Sequence, residues 1–360
     1  MILFSFYFYC KFLKIFSKII IIIFFFIIYF FYFLNYKNIT NNNYFLKKKK
    51  TNFFFLFKKG ELKSCKNYGI FIYNYPFKKS AKLGNIGDYI QSLAALQYLP
   101  KNCIPLLFDR DKIEEYKISN SIYIIMNGWN RIKKGNRKIS DNFVPIYISY
   151  HINNINNLDN MTINNLKKYQ PIGCRDIYTK NELKKKGIDT YFSSCLTTTL
   201  DIDYSAKENE RTNEIIFIDF KFGNFPEADR YIKSLKNYNF NNLTYIQHMY
   251  KLKKYSHFER FKYAKTLLEK YARAKLVIST RIHGALPCLA LNTPIIFVNK
   301  HYDIRYPGLY ELLNTVGINS KGHFEINVHL ENNLVVNPKK YLKYSNFLKF
   351  IVKKKINVNL

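Results

Sequence analysis

Residues Leu276 to Val298, LVISTRIHGALPCLALNTPIIFV, constrain the fold more than any other stretch of the chain. A short apolar run, Leu276-Val277-Ile278-Ser279, meets the turn Arg281-Ile282-His283-Gly284. A helix of small apolar residues follows, then Asn292-Thr293-Pro294 and a second strand, Ile295 to Val298. This order is a β-turn-α-β unit of a parallel sheet. In open α/β sheets, ligands bind at the C-terminal edge of the strands, where this unit sets Arg281 and His283. A helix N-terminus beside an arginine attracts anions, and histidine moves protons near neutrality. The unit predicts chemistry on an anionic substrate. Pro287 cannot sit deep inside a helix, so the helix is predicted to start near Gly284 to Leu286, with Arg281 and His283 on the loop before it.

Strand-like runs recur through the chain, and 360 residues accommodate two domains. Gly69 to Asn74 reads as a buried strand. The loop Gly84-Asn85-Ile86-Gly87-Asp88 then leads to a helix with an apolar stripe of Tyr89, Ile90, Leu93, Ala94 and Leu96. The glycines permit close backbone approach. Asp88 in the first turn either complements the helix dipole as a cap or serves a site. Further strands fit Ile104 to Phe108, Ile122 to Asn127, Pro145 to His151 and Tyr191 to Cys195. Arg175, in Pro171-Ile172-Gly173-Cys174-Arg175-Asp176, sits between a short strand and a helix, as Arg281 does; the plain alternative is an ion pair with Asp176. His151 and Trp129 at strand ends read as structural. Asp201 to Asn213 is polar and aperiodic and reads as a hinge. Strands at Glu214 to Phe220 and Leu243 to Ile246 follow, with helices at Pro226 to Asn237 and Phe258 to Ala274, and a last helix from Tyr341 that is expected to pack back on the first domain.

Composition narrows the function less than it first suggests. The chain carries 57 basic and 25 acidic residues, a formal charge of +32. The abundance of Lys, Asn, Ile, Phe and Tyr together points to a biased coding sequence, with lysines on solvated faces. Most of the excess is Lys, and no zinc-finger spacing, aromatic RNA-binding motif or Arg-rich arm accompanies it, so nucleic acid is excluded as the expected partner. Six cysteines, at 10, 65, 103, 174, 195 and 288, form no C-x-x-C. They read as free thiols in a reducing compartment, with neither a disulfide framework nor a metal site. Residues Ile19 to Leu34 are sixteen uncharged apolar residues. As a helix they would span ~24 Å, somewhat less than the ~30 Å hydrocarbon core. No small-residue cleavage site follows, so residues 1–36 are expected to be an uncleaved membrane anchor. The alternative is upstream AT-rich sequence read in frame. The distribution of lysines around the apolar segment favours a cytoplasmic catalytic portion. Residues 37–66 read as a Lys/Asn-rich linker.

Taken together, GNIGDYIQSLAALQYL, PIGCRD, YFSSCLTTTL and YARAKLVISTRIHGALPCLALNTPIIFV make the chain resemble the polysaccharide pyruvyl transferase family over roughly residues 68 to 300. The resemblance implies an α/β fold of two Rossmann-like domains facing across a cleft, similar to GT-B glycosyltransferases. Residues 67–205 would form the acceptor side and 206–335 the donor side, with 336–360 a C-terminal helix. It implies transfer of a pyruvyl group from phosphoenolpyruvate to a sugar or polysaccharide acceptor, forming a ketal, with no cofactor beyond the donor. By this resemblance Arg281 and His283 belong to the donor site and Arg175 adds a second cation. Gly284, Asn85, Gly87 and Asp88 complete the expected substrate-binding set, with His283 as the proton donor. Two other readings stay open on the residues alone: a GT-B-like glycosyltransferase using a nucleotide-sugar, and a non-catalytic, membrane-held protein binding anionic glycans.

Overall fold

Apolar strands alternating with helices build two six-stranded sheets in the computed structural model, which describes residues 63–75, 83–100, 103–130, 139–200, 210–251 and 255–357. The first sheet contains β1 (Lys63–Ile72), β3 (Cys103–Asp109), β4 (Ile122–Asn130), β5 (Phe143–Ile152), β6 (Ile172–Cys174) and β7 (Thr190–Phe192), in the order β3-β1-β4-β5-β6-β7. All of its pairings are parallel. The second contains β8 (Ile215–Ile218), β9 (Leu243–Ile246), β11 (Leu276–Ser279), β12 (Ile295–Asn299), β13 (Asn314–Ile318) and β14 (Phe324–Asn327), in the order β14-β13-β12-β11-β8-β9. It is parallel except for the antiparallel edge strand β14. Strands β8 and β12 are buried along their whole length, as expected for a parallel sheet covered on both faces. The opening sequence motif folds as predicted: Val277 pairs with Ile295 and Leu276 with Ile215.

The helix that starts in the GNIGD loop is central to this arrangement. α1 (Ile86–Leu96) is buried at every position. It packs on β1 and on α5 (His257–Arg273) of the second half, with Tyr89 edge-on to Phe261 at 5.0 Å between ring centroids. α5 opens with a capping box between Ser256 and Glu259, two reciprocal bonds that fix its first turn. From that first turn Arg260 reaches across, donating to the Tyr73 carbonyl and to the Tyr89 hydroxyl, both at 3.2 Å. A short antiparallel ribbon joins β2 (Leu83–Asn85) to β10 (Met249–Lys251). Three-residue strands carry no periodic signal, and this ribbon was not legible in the sequence.

Several elements depart from their predicted bounds. β1 begins at Lys63, inside the segment expected to be linker. Cys65 and Cys103 form a disulfide between the neighbouring strands β1 and β3, with their Cα atoms 5.3 Å apart. This corrects the expectation of free thiols for that pair: parallel pairing sets two cysteines, 38 residues apart in sequence, at bridging distance. Cys174, Cys195 and Cys288 are buried free thiols. α6 (Ile282–Ala290) starts two residues earlier than predicted. Pro287 is tolerated inside it because the missing N–H affects only the carbonyl of His283, one turn back. The C-terminal helix α7 (Tyr341–Asn357) packs back as expected: Leu348, Val352 and Ile356 are buried, and Ser345 donates to the Thr198 carbonyl at 2.9 Å.

Residues Gly60–Leu360 form one compact unit, so the two sheets are not separated into independent contact units. The apolar head, the linker up to residue 62 and most of the polar segment at Asp201 to Asn213 lie outside the described residues. Among the described residues no helix is long and apolar enough to cross a membrane.

Loss of the Arg260 bridge removes a buried donor from two acceptors. Arg260→Met is expected to destabilise the fold by about 2–4 kcal/mol in urea titration. Lys262→Met, at an exposed position of the same helix, should change stability by no more than about 0.5 kcal/mol.

Candidate active site

The C-terminal ends of strands from both sheets supply the walls of one cavity of about 340 Å³. From the first sheet come Tyr75 after β1, Arg110 after β3, Trp129 near the end of β4 and Arg175 after β6. From the second come His248 after β9, Arg281 to His283 after β11, and Arg305 and Tyr306 after β12. Asn85 and Asp88, at the start of α1, complete one side. The edge rule for open α/β sheets therefore holds in both halves.

His283 lies in the first turn of α6, directly against α1. A Cβ added at Gly87 would stand 2.9 Å from the His283 Cβ and 3.3 Å from its Nδ1. Gly87 is thus required by contact rather than by backbone conformation. The His283 Nε2 is buried and makes no hydrogen bond. Burial, reinforced by Arg175, His248 and Arg305, holds the ring's pKa well below the ordinary histidine value. Burial and the surrounding cations thus favour the neutral ring of His283.

The arginines differ in how their charge is met. Arg281 caps α6 through its backbone, and its Nε donates to the Asp219 carboxylate. Asp219 is itself fixed in a positive-φ turn at φ 50° just after β8. Its backbone carbonyl accepts from the Thr280 hydroxyl. Arg175 is 3% exposed, and its Nε has no hydrogen-bond partner. Its Nε stands 3.8 Å from Asp176, but that carboxylate is already engaged by His151 at 2.7 Å and by the Thr179 amide at 2.8 Å. The ion pair expected as the alternative for Arg175 is thus present, but it leaves the Nε hydrogen without an acceptor. Arg305 is paired with Asp303. Arg110 lies between the rings of Tyr73 and Trp129, at 4.8 and 5.4 Å, and bonds Asp111.

The Asp88 carboxylate does not cap α1. That task falls to Asn85, whose side chain accepts from the Gly87 amide at 3.0 Å. Asp88 accepts from the Tyr75 hydroxyl at 2.7 Å and from Gln91 at 3.1 Å, and faces Arg110 at 3.8 Å. Gly284 lies behind the cavity: an added Cβ would meet Ser279 Oγ at 2.6 Å and Ile218 at 2.9 Å, so it serves the packing of α6 on the sheet. Of the expected site residues, Arg175, Arg281, His283, Asn85 and Asp88 thus share the cavity, and Gly87 supports it.

Sequence reasoning missed Arg110, Tyr75, Arg305, Tyr306 and His248, and left Trp129 out. Strand-end position alone would have flagged Arg110 in Phe108-Asp109-Arg110-Asp111. His248 had no signal, because it precedes the unforeseen ribbon. His151, at the end of β5, is 1% exposed and bound to Asp176 and Thr179 as a structural residue.

Comparison with known proteins now adds to this geometry. The family model for polysaccharide pyruvyl transferases matches residues 85–302, well over half of the chain. The chain belongs to the polysaccharide pyruvyl transferase family. It is a transferase by that membership. The match begins at Asn85, in the loop that reaches His283, and ends beyond β12. No curated protein matches the chain. A solved structure of an uncharacterized protein from Klebsiella pneumoniae subsp. pneumoniae aligns at 17% identity with a TM-score of 0.40, covering 70% of this chain and 93% of that one.

Three buried imidazoles tie folding to pH. Burial pushes His151 and His248 down to about 4, and His283 well down. The unfolded chain, with histidines near about 6.5, binds more protons than the folded one as pH falls below that value. Stability is therefore expected to rise with pH across the window from about 4 to 6.5. Melting temperatures measured from pH 4.5 to 7.5 should climb steeply through that window; a flat profile would contradict neutral buried rings.

Proposed function

We propose that the protein moves the pyruvyl group of phosphoenolpyruvate onto hydroxyls of a sugar in a polysaccharide or glycoconjugate and closes it as a ketal. The observation that carries this reading is the meeting of Arg175, Arg281 and the unpartnered Nε2 of His283 in one cavity. Phosphoenolpyruvate brings a carboxylate and a phosphate, and guanidinium groups suit both. Arg281 is preset by Asp219, and Arg175 brings a buried N–H without a hydrogen-bond partner. Family membership supports the pyruvyl transfer and the sugar acceptor at the level of class.

The chemistry assigns one group to each task. A proton delivered to the methylene carbon of phosphoenolpyruvate gives an oxocarbenium-like centre at C2. A sugar hydroxyl attacks C2 and loses its proton, the C2–O bond to phosphate breaks, and a neighbouring hydroxyl closes the ketal. Phosphate leaves, so one donor and two hydroxyls give one ketal and one phosphate. His283 is the proton donor in this scheme. It is neutral before the donor binds, and the arriving anion offsets the repulsion of the surrounding arginines and raises its pKa. Donor binding and protonation are thus linked. Asp88, buried across from the arginines, serves the acceptor side by accepting from sugar hydroxyls. In this reading donor and acceptor meet at the strand edges of the two sheets, as in a GT-B-like cleft. The apolar segment at residues 19–34 would hold the enzyme at a membrane, with the catalytic portion on the cytoplasmic face, where phosphoenolpyruvate is made.

Incubation with phosphoenolpyruvate and a panel of sugar acceptors, read by mass spectrometry, tests the reading. A pyruvyl ketal on an acceptor supports it; a hexosyl gain from a nucleotide-sugar, with no gain from phosphoenolpyruvate, overturns it. His283→Gln is expected to slow ketal formation by ~10²-fold or more, because general acid catalysis is lost, while phosphoenolpyruvate still binds. Turnover near wild type would remove His283 from the acid role.

A further inference from the structure

His248 is a second buried imidazole in the same cavity that the proposed chemistry leaves without a task. It is 0% exposed and stands between β9 and β10. Every other polar group of this residue is engaged. Its amide donates to Asp219 Oδ1 at 3.3 Å, and its carbonyl accepts from the Ile86 amide at 2.8 Å. Its Nε2 meets the Tyr271 hydroxyl at 2.9 Å. Only Nδ1 is buried without a hydrogen-bond partner. The residue is therefore pinned on three sides, by Asp219 of the arginine-orienting pair, by the start of α1, and by α5.

The Tyr271 contact ties the proton on Nε2 to the one on Nδ1. Tyr271 is fully buried, and among the described residues its hydroxyl meets only His248 Nε2. In a neutral ring each placement of the proton leaves one buried hydrogen without an acceptor: the Tyr271 hydroxyl proton when Nε2 carries the ring proton, and the ring proton itself when Nδ1 carries it. An anionic oxygen at Nδ1 removes that cost only in the second case, where the Tyr271 hydroxyl donates to Nε2 and Nδ1–H donates to the anion. The ring is neutral because burial pushes its pKa down to about 4.

We infer that His248 presents its Nδ1–H as an uncharged hydrogen-bond donor to an anionic oxygen of the donor substrate, beside the guanidinium groups of Arg281 and Arg175. The inference rests on the reading of phosphoenolpyruvate as donor. An uncharged donor has a use here. It recognises the anion without adding a further positive charge beside His283, whose protonation already works against Arg175 and Arg305. Tyr271, which does not line the cavity, is by this logic a positioning residue that acts through His248.

Calorimetric titration of the full-length chain with phosphoenolpyruvate, before and after substitution, tests the inference. His248→Leu is expected to weaken binding about 10- to 100-fold, the loss of one hydrogen bond to a charged group. His248→Asn, whose side-chain amide keeps an N–H near the Nδ1 position, is expected to restore most of it. Tyr271→Phe frees the ring to carry its proton on Nε2 and should weaken binding several-fold. The same change in the His248→Asn background should have no further effect, which a merely structural role for Tyr271 would not produce. Parallel titrations of wild type and His248→Leu with inorganic phosphate and with pyruvate identify which anionic group is bound, by the one whose affinity falls. If wild type binds phosphoenolpyruvate and His248→Leu, still folded by circular dichroism, binds it equally well, the inference fails alone. If wild type binds no phosphoenolpyruvate, the proposed donor fails first.

Discussion

The close approach of Gly87 to His283 is the constraint on which the site depends. A helix from the first half of the chain begins on top of a helix from the second, with room for a hydrogen and not for a methyl group. That contact is held from several directions. The β2–β10 ribbon pairs Asn85 with Met249, Ile86 bonds the His248 carbonyl, and Arg260 ties α5 to Tyr73 and Tyr89. Because α1 is buried along its length, the loop before it cannot shift without disturbing the core. The imidazole and the Asp88 carboxylate are therefore fixed relative to each other by packing. Preorganisation of this kind is what allows a site to orient two substrates at once.

Electrostatics then gives the cavity its character. Arginines from both sheets line it, and three of them are oriented by carboxylates, Asp219 for Arg281, Asp303 for Arg305 and Asp111 for Arg110. The two histidines among them are kept neutral by burial. Three buried nitrogens, Arg175 Nε, His248 Nδ1 and His283 Nε2, make no hydrogen bond. Buried polar atoms without partners cost free energy, and these three belong to residues that line one cavity. A compact polyanion would satisfy the donors and raise the histidine pKa in the same event. Phosphoenolpyruvate has that chemistry, and the family membership of the chain makes it the natural proposal.

The parts of this account that were readable in the sequence are those written in local pattern. The β11–α6–β12 unit, with Arg281 and His283 at the strand end, follows from an apolar run, a turn and a second apolar run. The length of α5 follows from helical periodicity. Contacts between distant segments were not readable. The β2–β10 ribbon consists of three-residue strands, the Cys65–Cys103 disulfide depends on the pairing of β1 with β3, and His248 enters the site only because that ribbon turns the chain back. Asp88 shows the limit in one residue. Its place in a first turn suggested a cap, and only the side chain of Asn85, occupied with the Gly87 amide, releases it for the cavity. Asp219 was hidden for a similar reason: an acidic residue after a strand is common, and its role appears only once Arg281 is seen beside it.

The coupling of donor binding to protonation of a buried neutral His283 is the central claim, and calorimetry measures it directly. Phosphoenolpyruvate is titrated into the full-length protein near pH 8, where its phosphate is already fully ionised, in two buffers of different ionisation enthalpy. Binding with net uptake of a proton, lost in His283→Gln, is the expected result. Binding with the same apparent enthalpy in both buffers would show that no proton enters with the donor, and would contradict the account.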